Sequence, residues 1–400
     1  MTRMRFLLLT ILAALLLSGL LLCASTEEAE GIAQVRITGE ALWDLKDKQD
    51  VRQAVLSFDD GKGYSFSMPV TIHIQGNAQS FPKKNYTIKF QQKIEMSPGW
   101  GAHKKYTLKA NYNDPTMARN IVSARLAAQM QHRYHLLDTA PNAGLIDGFP
   151  IWLEIDGEPA GLYNWTIPKD EWMFGMDKDD PDHLLFFGND WTDDVFFSSD
   201  EIDYAGGWIP KTDNVTSEGF EKFERLYRFI HESSDETFRS DIGQYMSLDA
   251  CLNYSCFCYI AYAADNAGKN MILGTYDGLV WWPSLYDLDE TWGNCWDGKA
   301  YRENKDFLLS YSGLLRRILT CFPDELRARY HELRDDILSK DNILAEFERY
   351  RSQIPQEYFD RDKALWFPDQ CPYPDYDELE SRIAEYLPVY DEYFGYHFPE

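Results

Sequence analysis

The sequence has little positive charge. Of its 400 residues, 39 are Lys or Arg and 65 are Asp or Glu, so that the formal net charge at pH 7 is −26. Nucleic acids and anionic lipid surfaces both attract basic proteins. The composition therefore argues against a nucleic-acid partner and against electrostatic docking on a membrane. It favours cationic partners, or a metal ion that offsets part of the acid.

Sulfur and imidazole patterns for metal binding are also missing. The cysteines include no C-x-x-C pair, and no His residues stand at ligand spacing, so a zinc site is not expected. Six cysteines follow Cys23. This even number permits disulfides in an exported chain. The alternative is that most of them are buried thiols.

Long apolar runs are absent beyond the N-terminus. Residues 6–22 are almost wholly apolar, with Arg3 and Arg5 before them and Cys23, Ala24 and Ser25 after them. This order is typical of a signal peptide. We assign residues 1–25 to a signal peptide or a retained membrane anchor, and a lipoprotein modified at Cys23 is a further option. The protein is expected to be secreted or at the cell surface, with membrane contact only through this segment.

The remaining chain changes from strand-like to helix-like patterns. Alternating segments between residues 51 and 115, and turn signals at Asp60-Gly61 and Asp156-Gly157, predict hairpins. Residues 114–131 have a helical period with Asp114 as its N-cap, and helical patterns dominate after residue 218. We expect an α+β fold with a β-rich N-terminal lobe over residues 30–190, a helical C-terminal lobe over 191–400, and a cleft between them.

Residues 265–293 carry the strongest chemical pattern. Asp265 and Asn270 form D-x-x-x-x-N, and a predicted hairpin with an Asp277-Gly278 turn follows. The hairpin runs into Asp287-Leu-Asp289-Glu, closed by Gly293. If the backbone is extended there, both Asp side chains face the same side. Hard oxygen ligands of this kind suit Mg²⁺.

The order of these residues resembles that of protein kinases, which use an Asp, an Asn five residues later, a hairpin and then a metal-binding Asp followed by Gly. The chain has no H-R-D, D-F-G or G-x-G-x-x-G motif. The alternative interpretation is that Asp265 and Asn270 cap a helix and a turn while the D-L-D ends a strand. The polar turn G-N-A-Q-S-F-P-K-K from Gly76 suits phosphate binding, or is an ordinary hairpin loop.

Four blocks in register resemble the CotH family, atypical kinases named for a spore coat protein. They are I-Q-G-N-A-Q-S-F-P-K-K-N-Y-T-I-K-F at 74–90, Y-T-L-K-A-N-Y-N-D-P-T-M-A-R-N at 106–120, I-D-G-E-P-A-G-L-Y at 155–163, and residues 270–293. The resemblance implies a two-lobed protein-kinase-like fold and ATP bound with Mg²⁺ or Mn²⁺. It also implies phosphate transfer to protein Ser or Thr. We expect the partner to be a protein substrate that is basic or Ser-rich.

The resemblance also implies roles for individual residues. Asp265 would be the catalytic Asp, and Lys84 or Lys89 would reach the phosphates. The remaining positions fall into a nucleotide-binding and a metal-binding set: Gly76 and Asn77 for the nucleotide, and Asn270, Asp287 and Asp289 for the metal.

Two alternatives to a kinase remain open. One is a surface protein of the same fold that binds or adheres to a partner with weak or no transfer activity. The other is an unrelated metal-dependent hydrolase, which would hold two metals about 3.5–4 Å apart. A kinase requires Asp265, Asn270 and Asp287 to converge around a pocket that faces Lys84 or Lys89.

Overall fold

The computed structural model describes residues 31–76, 81–213, 215–299 and 305–397. The N-terminal segment assigned to a signal peptide, anchor or lipoprotein site at Cys23 lies outside the described residues, and so does Asn77. Within the described ranges, no helix combines the length and the apolar character that a membrane span requires.

A closed seven-stranded barrel forms the N-terminal part of the structure. Its strands follow one another in the order β1-β2-β3-β4-β5-β7-β6, and β6 closes the ring by pairing with β1 in parallel. The side chains of alternate residues fill the barrel, as Tyr86, Ile88 and Phe90 do on β4, while Lys89 between them is exposed. The strands are β1 (Ala33–Gly39), β2 (Arg52–Asp59), β3 (Ser65–Ile74), β4 (Tyr86–Ile94), β5 (His103–Lys109), β6 (Gly148–Ile155) and β7 (Glu158–Thr166).

The predicted hairpins of this region are confirmed. β2 and β3 pair across the Asp60-Gly61 turn, and β6 and β7 pair across Asp156-Gly157. Asp156 has a φ of 52° and Gly157 a φ of 83°, the left-handed pair that a two-residue hairpin turn requires.

The helix predicted from residue 114 begins later. Helix α1 spans Arg119–Arg133. Asp114 caps a preceding turn instead: its Oδ2 accepts from the Arg119 N–H at 2.8 Å and its Oδ1 from the Thr116 N–H at 3.3 Å. Met117 has a φ of 60°, and this left-handed residue interrupts any helix started at Pro115.

A smaller four-stranded sheet and a group of helices form the rest. The sheet has the order β11-β10-β8-β9, and the predicted hairpin around Asp277-Gly278 is confirmed as β10 and β11. The elements are β8 (Leu184–Gly188), β9 (Trp208–Pro210), α2 (Ser217–Glu232), α3 (Asp235–Asp241), α4 (Leu248–Ala261), β10 (Ile272–Thr275), β11 (Trp281–Ser284), α5 (Lys305–Ser310), α6 (Gly313–Cys321), α7 (Pro323–Asp335), α8 (Lys340–Arg351), α9 (Gln356–Trp366) and α10 (Tyr376–Phe394).

Helix α4 is the buried centre of the helical part. Its side chains from Ala250 to Ala261 are buried, and it packs on α7, α1 and β11. Cys251, Cys256 and Cys258 lie on it as buried thiols, and the six cysteines among the described residues are all free. Burial raises the pKa of these three thiols, which keeps them protonated and unreactive.

The fold is therefore α+β, with a β-rich N-terminal region and a helical C-terminal region as predicted. Two features differ from the expectation. The N-terminal sheet closes on itself as a barrel, and β9, in the region predicted to be helical, pairs with β8 in a second sheet.

Candidate functional site

One cleft gathers the acidic residues of the 265–293 segment. It has a volume of about 660 Å³ and lies between the barrel strands β4 and β5 and the loops that follow α4 and β11. The residues that line it include Gly76, Lys83, Lys109, Lys169, Asp265, Asn270, Tyr286, Asp287, Asp289 and Glu290.

Asp265 and Asn270 meet through their side chains. Asp265 opens a short turn after α4, where Tyr262 ends the helix with a φ of 53°. Its Oδ2 accepts from Lys269 Nζ at 3.0 Å and from Asn270 Nδ2 at 3.3 Å. The Asp265 side chain is only 14% exposed, and burial raises its pKa despite the adjacent Lys269. The D-x-x-x-x-N spacing thus brings both groups to one point of the cleft.

The Asp-Leu-Asp segment reaches the cleft by a different geometry from the one expected. Asp287 has a φ of 57°, so the backbone is not extended there. Both Asp287 and Asp289 nevertheless line the same cleft. The interpretation of two carboxylates on one face of a strand was wrong, because β11 ends at Ser284.

The N-terminal end of α1 holds this segment in place. The Leu288 N–H donates to Asn120 Oδ1 at 2.8 Å, and Arg119 Nε donates to the Thr291 carbonyl at 3.2 Å. Arg119 is itself fully buried against Asp114 at 2.5 Å. Sequence reasoning gave no role to Arg119 and Asn120, although both belong to the 106–120 block that carried the family resemblance.

Lys109 at the end of β5 forms an ion pair with Asp287 and is itself buried. Burial alone would lower the pKa of Lys109, but the negative charge of Asp287 raises it above its ordinary value. In the same pair, burial works to raise the pKa of Asp287, and Lys109 outweighs it, so that the pKa of Asp287 is lowered. The Asp287 side chain keeps 41% of its surface accessible, so it can still contact a ligand in the cleft.

Lys84 and Lys89 lie elsewhere. Lys84 Nζ donates to the Phe81 carbonyl at 2.5 Å. Lys89 is exposed on the outer face of β4 and borders a different depression on the barrel. Neither lines the cleft, whereas Gly76 does. The cleft therefore does not face Lys84 or Lys89 as expected, and the role predicted for Gly76 stays a prediction.

Lys83 lines the cleft and pairs with Asp362 of α9 at 2.9 Å. The same carboxylate accepts from the Leu162 N–H of β7 at 2.8 Å. Burial lowers the pKa of Lys83, although Asp362 opposes the shift. This pair joins the barrel to the C-terminal helices beside the cleft.

Four carboxyl groups lie at the acid end of the cleft, where Asp265 pairs with Lys269 and Asp287 with Lys109. Burial, followed by the charge of Asp287, raises the pKa of Asp289 to about 7. Burial and Asp265 raise the pKa of Glu290 to about 9. The available donors are carboxylate and amide oxygens, the chemistry that Mg²⁺ or Mn²⁺ prefers. Within the described ranges no three His, Cys, Asp or Glu side chains converge as a complete metal site, so phosphate or water oxygens would have to complete the shell.

The fold is of the α+β class. Its barrel and its helical region enclose one cleft lined by carboxyl groups, an amide and a buried lysine. The family model described as CotH kinase protein matches residues 72–370, more than half of the chain. The chain belongs to this family, which confirms the resemblance. No curated protein matches it.

Proposed function

We propose that the protein is an exported, metal-dependent atypical protein kinase that transfers the γ-phosphate of ATP to Ser or Thr of a protein. In this proposal the barrel corresponds to the N-terminal lobe of a kinase and the helical region to the C-terminal lobe. One observation carries the proposal: Asp265, Asn270, Asp287 and Asp289 line a single cleft that also contains Lys109. The volume of about 660 Å³ falls within the usual range for a small-molecule site.

Asp287 and Asn270 would hold the metal, with Asp289 beside them. The bound metal would neutralise negative charge on the phosphates. Lys109 takes the phosphate-binding role that the resemblance gave to Lys84 or Lys89, since Lys109 is the lysine that touches Asp287.

Asp265 would accept the proton of the acceptor hydroxyl. The hydroxyl oxygen forms a bond to the γ-phosphorus, the bond from that phosphorus to the bridging oxygen breaks, and ADP leaves. Lys269 and Asn270 both donate to Asp265 Oδ2, which fixes the orientation of the carboxylate and leaves Oδ1 as the oxygen for the proton. Such a positioned base contributes about 10²–10⁴ in rate.

The test is transfer of radiolabelled phosphate from ATP with Mg²⁺ or Mn²⁺ to a Ser-rich basic peptide. We expect labelling by the wild-type protein and none by Asp287→Asn. Asp179→Asn is the matched control, because Asp179 is exposed on a turn and does not line the cleft. A wild-type protein that binds Mg-ATP but labels neither the peptide nor itself would favour the alternative, a surface protein of the CotH fold that binds or adheres to a partner.

The apolar N-terminal segment supports export, and the family name supports a spore coat or surface location. Fractionation of the native host would test this. Recovery of the full-length, uncleaved chain in the cytosol would contradict it.

A further inference from the structure

Lysines without acidic partners line the wall of the cleft away from the acids. Lys169 follows β7, Lys211 follows β9, and Lys48 lies at the rim between β1 and β2. Among the described residues none of the three forms an ion pair with a carboxylate. The chain has a formal net charge of −26, so this local excess of positive charge indicates a binding site for an anion.

The Lys169 ammonium group contacts two aromatic rings and no carboxylate among the described residues. Its Nζ is 3.0 Å from the ring centroid of Phe187 and 4.2 Å from that of Tyr286, and both rings are buried. Its neighbour Asp170 is engaged elsewhere, in an ion pair with Lys105 at 2.6 Å. Burial and the nearby charge of Lys211 lower the pKa of Lys169 well below its ordinary value, which is the effect expected of an ammonium group that lacks a counter-ion.

The same two rings link Lys169 to further lysines. Lys109 Nζ lies 4.8 Å from the Tyr286 centroid, and Lys211 Nζ lies 5.1 Å from the Phe187 centroid. The rings contact each other edge to face with centroids 6.2 Å apart. Lys109 and Lys169 therefore share the Tyr286 ring, and Lys169 and Lys211 share the Phe187 ring. The two ammonium groups of each pair can be no farther apart than the sum of their distances to the shared ring. The row begins at Asp287 and continues away from the acids.

We propose that Lys109, Lys169 and Lys211 form a track for a chain of phosphate groups. The transferred phosphate lies at Lys109, and Lys169 and Lys211 hold the other phosphates of the donor without needing the metal. A phosphate chain carries several negative charges a few ångströms apart, and each lysine would supply one charge-assisted contact. The proposal deepens the proposed function, because it names how the donor of that same site is held.

An acidic peptide is the other class of polyanion that a lysine row attracts. Two observations favour phosphate. The row lies inside the cleft and ends at the Lys109–Asp287 pair, where the transferred phosphate would lie. The overall charge of −26 also repels an acidic protein over its whole surface, whereas a short phosphate chain meets only the local lysines.

The test is calorimetric titration with inorganic tripolyphosphate in EDTA. We expect measurable binding by the wild-type protein and a loss of about tenfold in affinity for Lys169→Met and for Lys211→Met, the effect of one charge-assisted contact. Methionine keeps the apolar stem on the rings and removes the charge. Lys93→Met is the control, because Lys93 is exposed at the far end of β4 and does not line the cleft.

Thermal unfolding of Lys169→Met separates a ligand-binding role from a structural one. Removing a desolvated, unpaired ammonium should raise Tm while polyphosphate affinity falls. A lower Tm together with unchanged affinity would overturn the proposal, and so would equal tripolyphosphate affinity in wild type and both variants. Tighter binding of an oligoglutamate peptide than of tripolyphosphate would also overturn it.

These measurements need no phosphate transfer. Tripolyphosphate binding that depends on Lys169 and Lys211 in a protein that labels no acceptor would retain the track and reject the kinase. Transfer with unchanged affinity in both variants would reject the track alone.

Discussion

The Asp265 carboxylate receives two hydrogen bonds on one oxygen, from Lys269 and Asn270, which suits a positioned base better than a metal ligand. Asp265→Asn keeps the shape and leaves Asp287, Asp289 and Asn270 in place. We expect Mg-ATP binding to be nearly unchanged and transfer to fall by about 10²–10⁴. Nucleotide titration and single-turnover transfer measure the two effects. Asp287→Asn should weaken both, and an Asp265→Asn protein that transfers at the wild-type rate would remove Asp265 from the catalytic role.

The buried ion pair between Lys83 and Asp362 is expected to contribute to stability rather than to transfer. Asp362→Asn would leave the Lys83 ammonium buried without a counter-charge, since Lys83 is only 2% exposed. Breaking a buried pair in this way costs about 3–5 kcal/mol in free energy of unfolding. Urea denaturation measures the loss, and the double variant Lys83→Met with Asp362→Asn should recover part of it. A double variant as unstable as the sum of the singles would show that the two side chains do not interact.

At the scale of elements, α1 acts as the support for the Asp-Leu-Asp segment. Asn120→Ala would leave the buried Leu288 N–H without its acceptor, at a cost of about 1–3 kcal/mol. We expect a weaker affinity for Mg-ATP as well, because the segment that carries Asp287 loses its anchor. Gln129→Ala, on the same helix and bonded to Glu346 at 3.0 Å, is the control. It should lower stability without changing Mg-ATP affinity, and Asn120→Ala with wild-type affinity would contradict the support role.

Local features of the elements could be predicted from the sequence. The hairpins at Asp60, Asp156 and Asp277 follow from turn residues between strand-like segments, and these signals span only a few positions. The α1 boundary could not be predicted, because a left-handed Met117 and the Asp114–Arg119 contact override an acceptable capping sequence. The closure of the barrel through β1 and β6 depends on residues far apart in the chain, which no local pattern encodes.

The phosphate-binding lysine also shows what local sequence can and cannot predict. Lys84 and Lys89 follow from a resemblance to the family's P-K-K block. Lys109 lies within another quoted block, and it alternates with Lys105 and Thr107 on the face of β5 that lines the cleft. Its pairing with Asp287 joins residues 178 positions apart, a contact that became visible only in the folded chain.

At the scale of the whole molecule, the proposed site couples metal and nucleotide. With Mg-ATP as a single ligand at about 100 times its dissociation constant, binding would stabilise the fold by roughly 2.7 kcal/mol. We expect Tm to rise more with Mg²⁺ and ATP together than the two separate shifts would give, because the metal offsets the repulsion between the acids and the γ-phosphate, which the lysine track does not relieve. Differential scanning fluorimetry measures this. ATP in EDTA that stabilises the protein as much as Mg-ATP would contradict the metal site.

Because β1 pairs in parallel with β6, the barrel cannot close until both strands have been synthesised. The contact between Arg36 and Glu154 on these strands joins positions 118 apart. At about 5–20 residues per second, roughly 6–24 s of synthesis separate the two strands. During that interval β6 does not yet exist, so the strands already made can form at most an open sheet. The barrel core therefore cannot close until the chain as far as β6 has been synthesised.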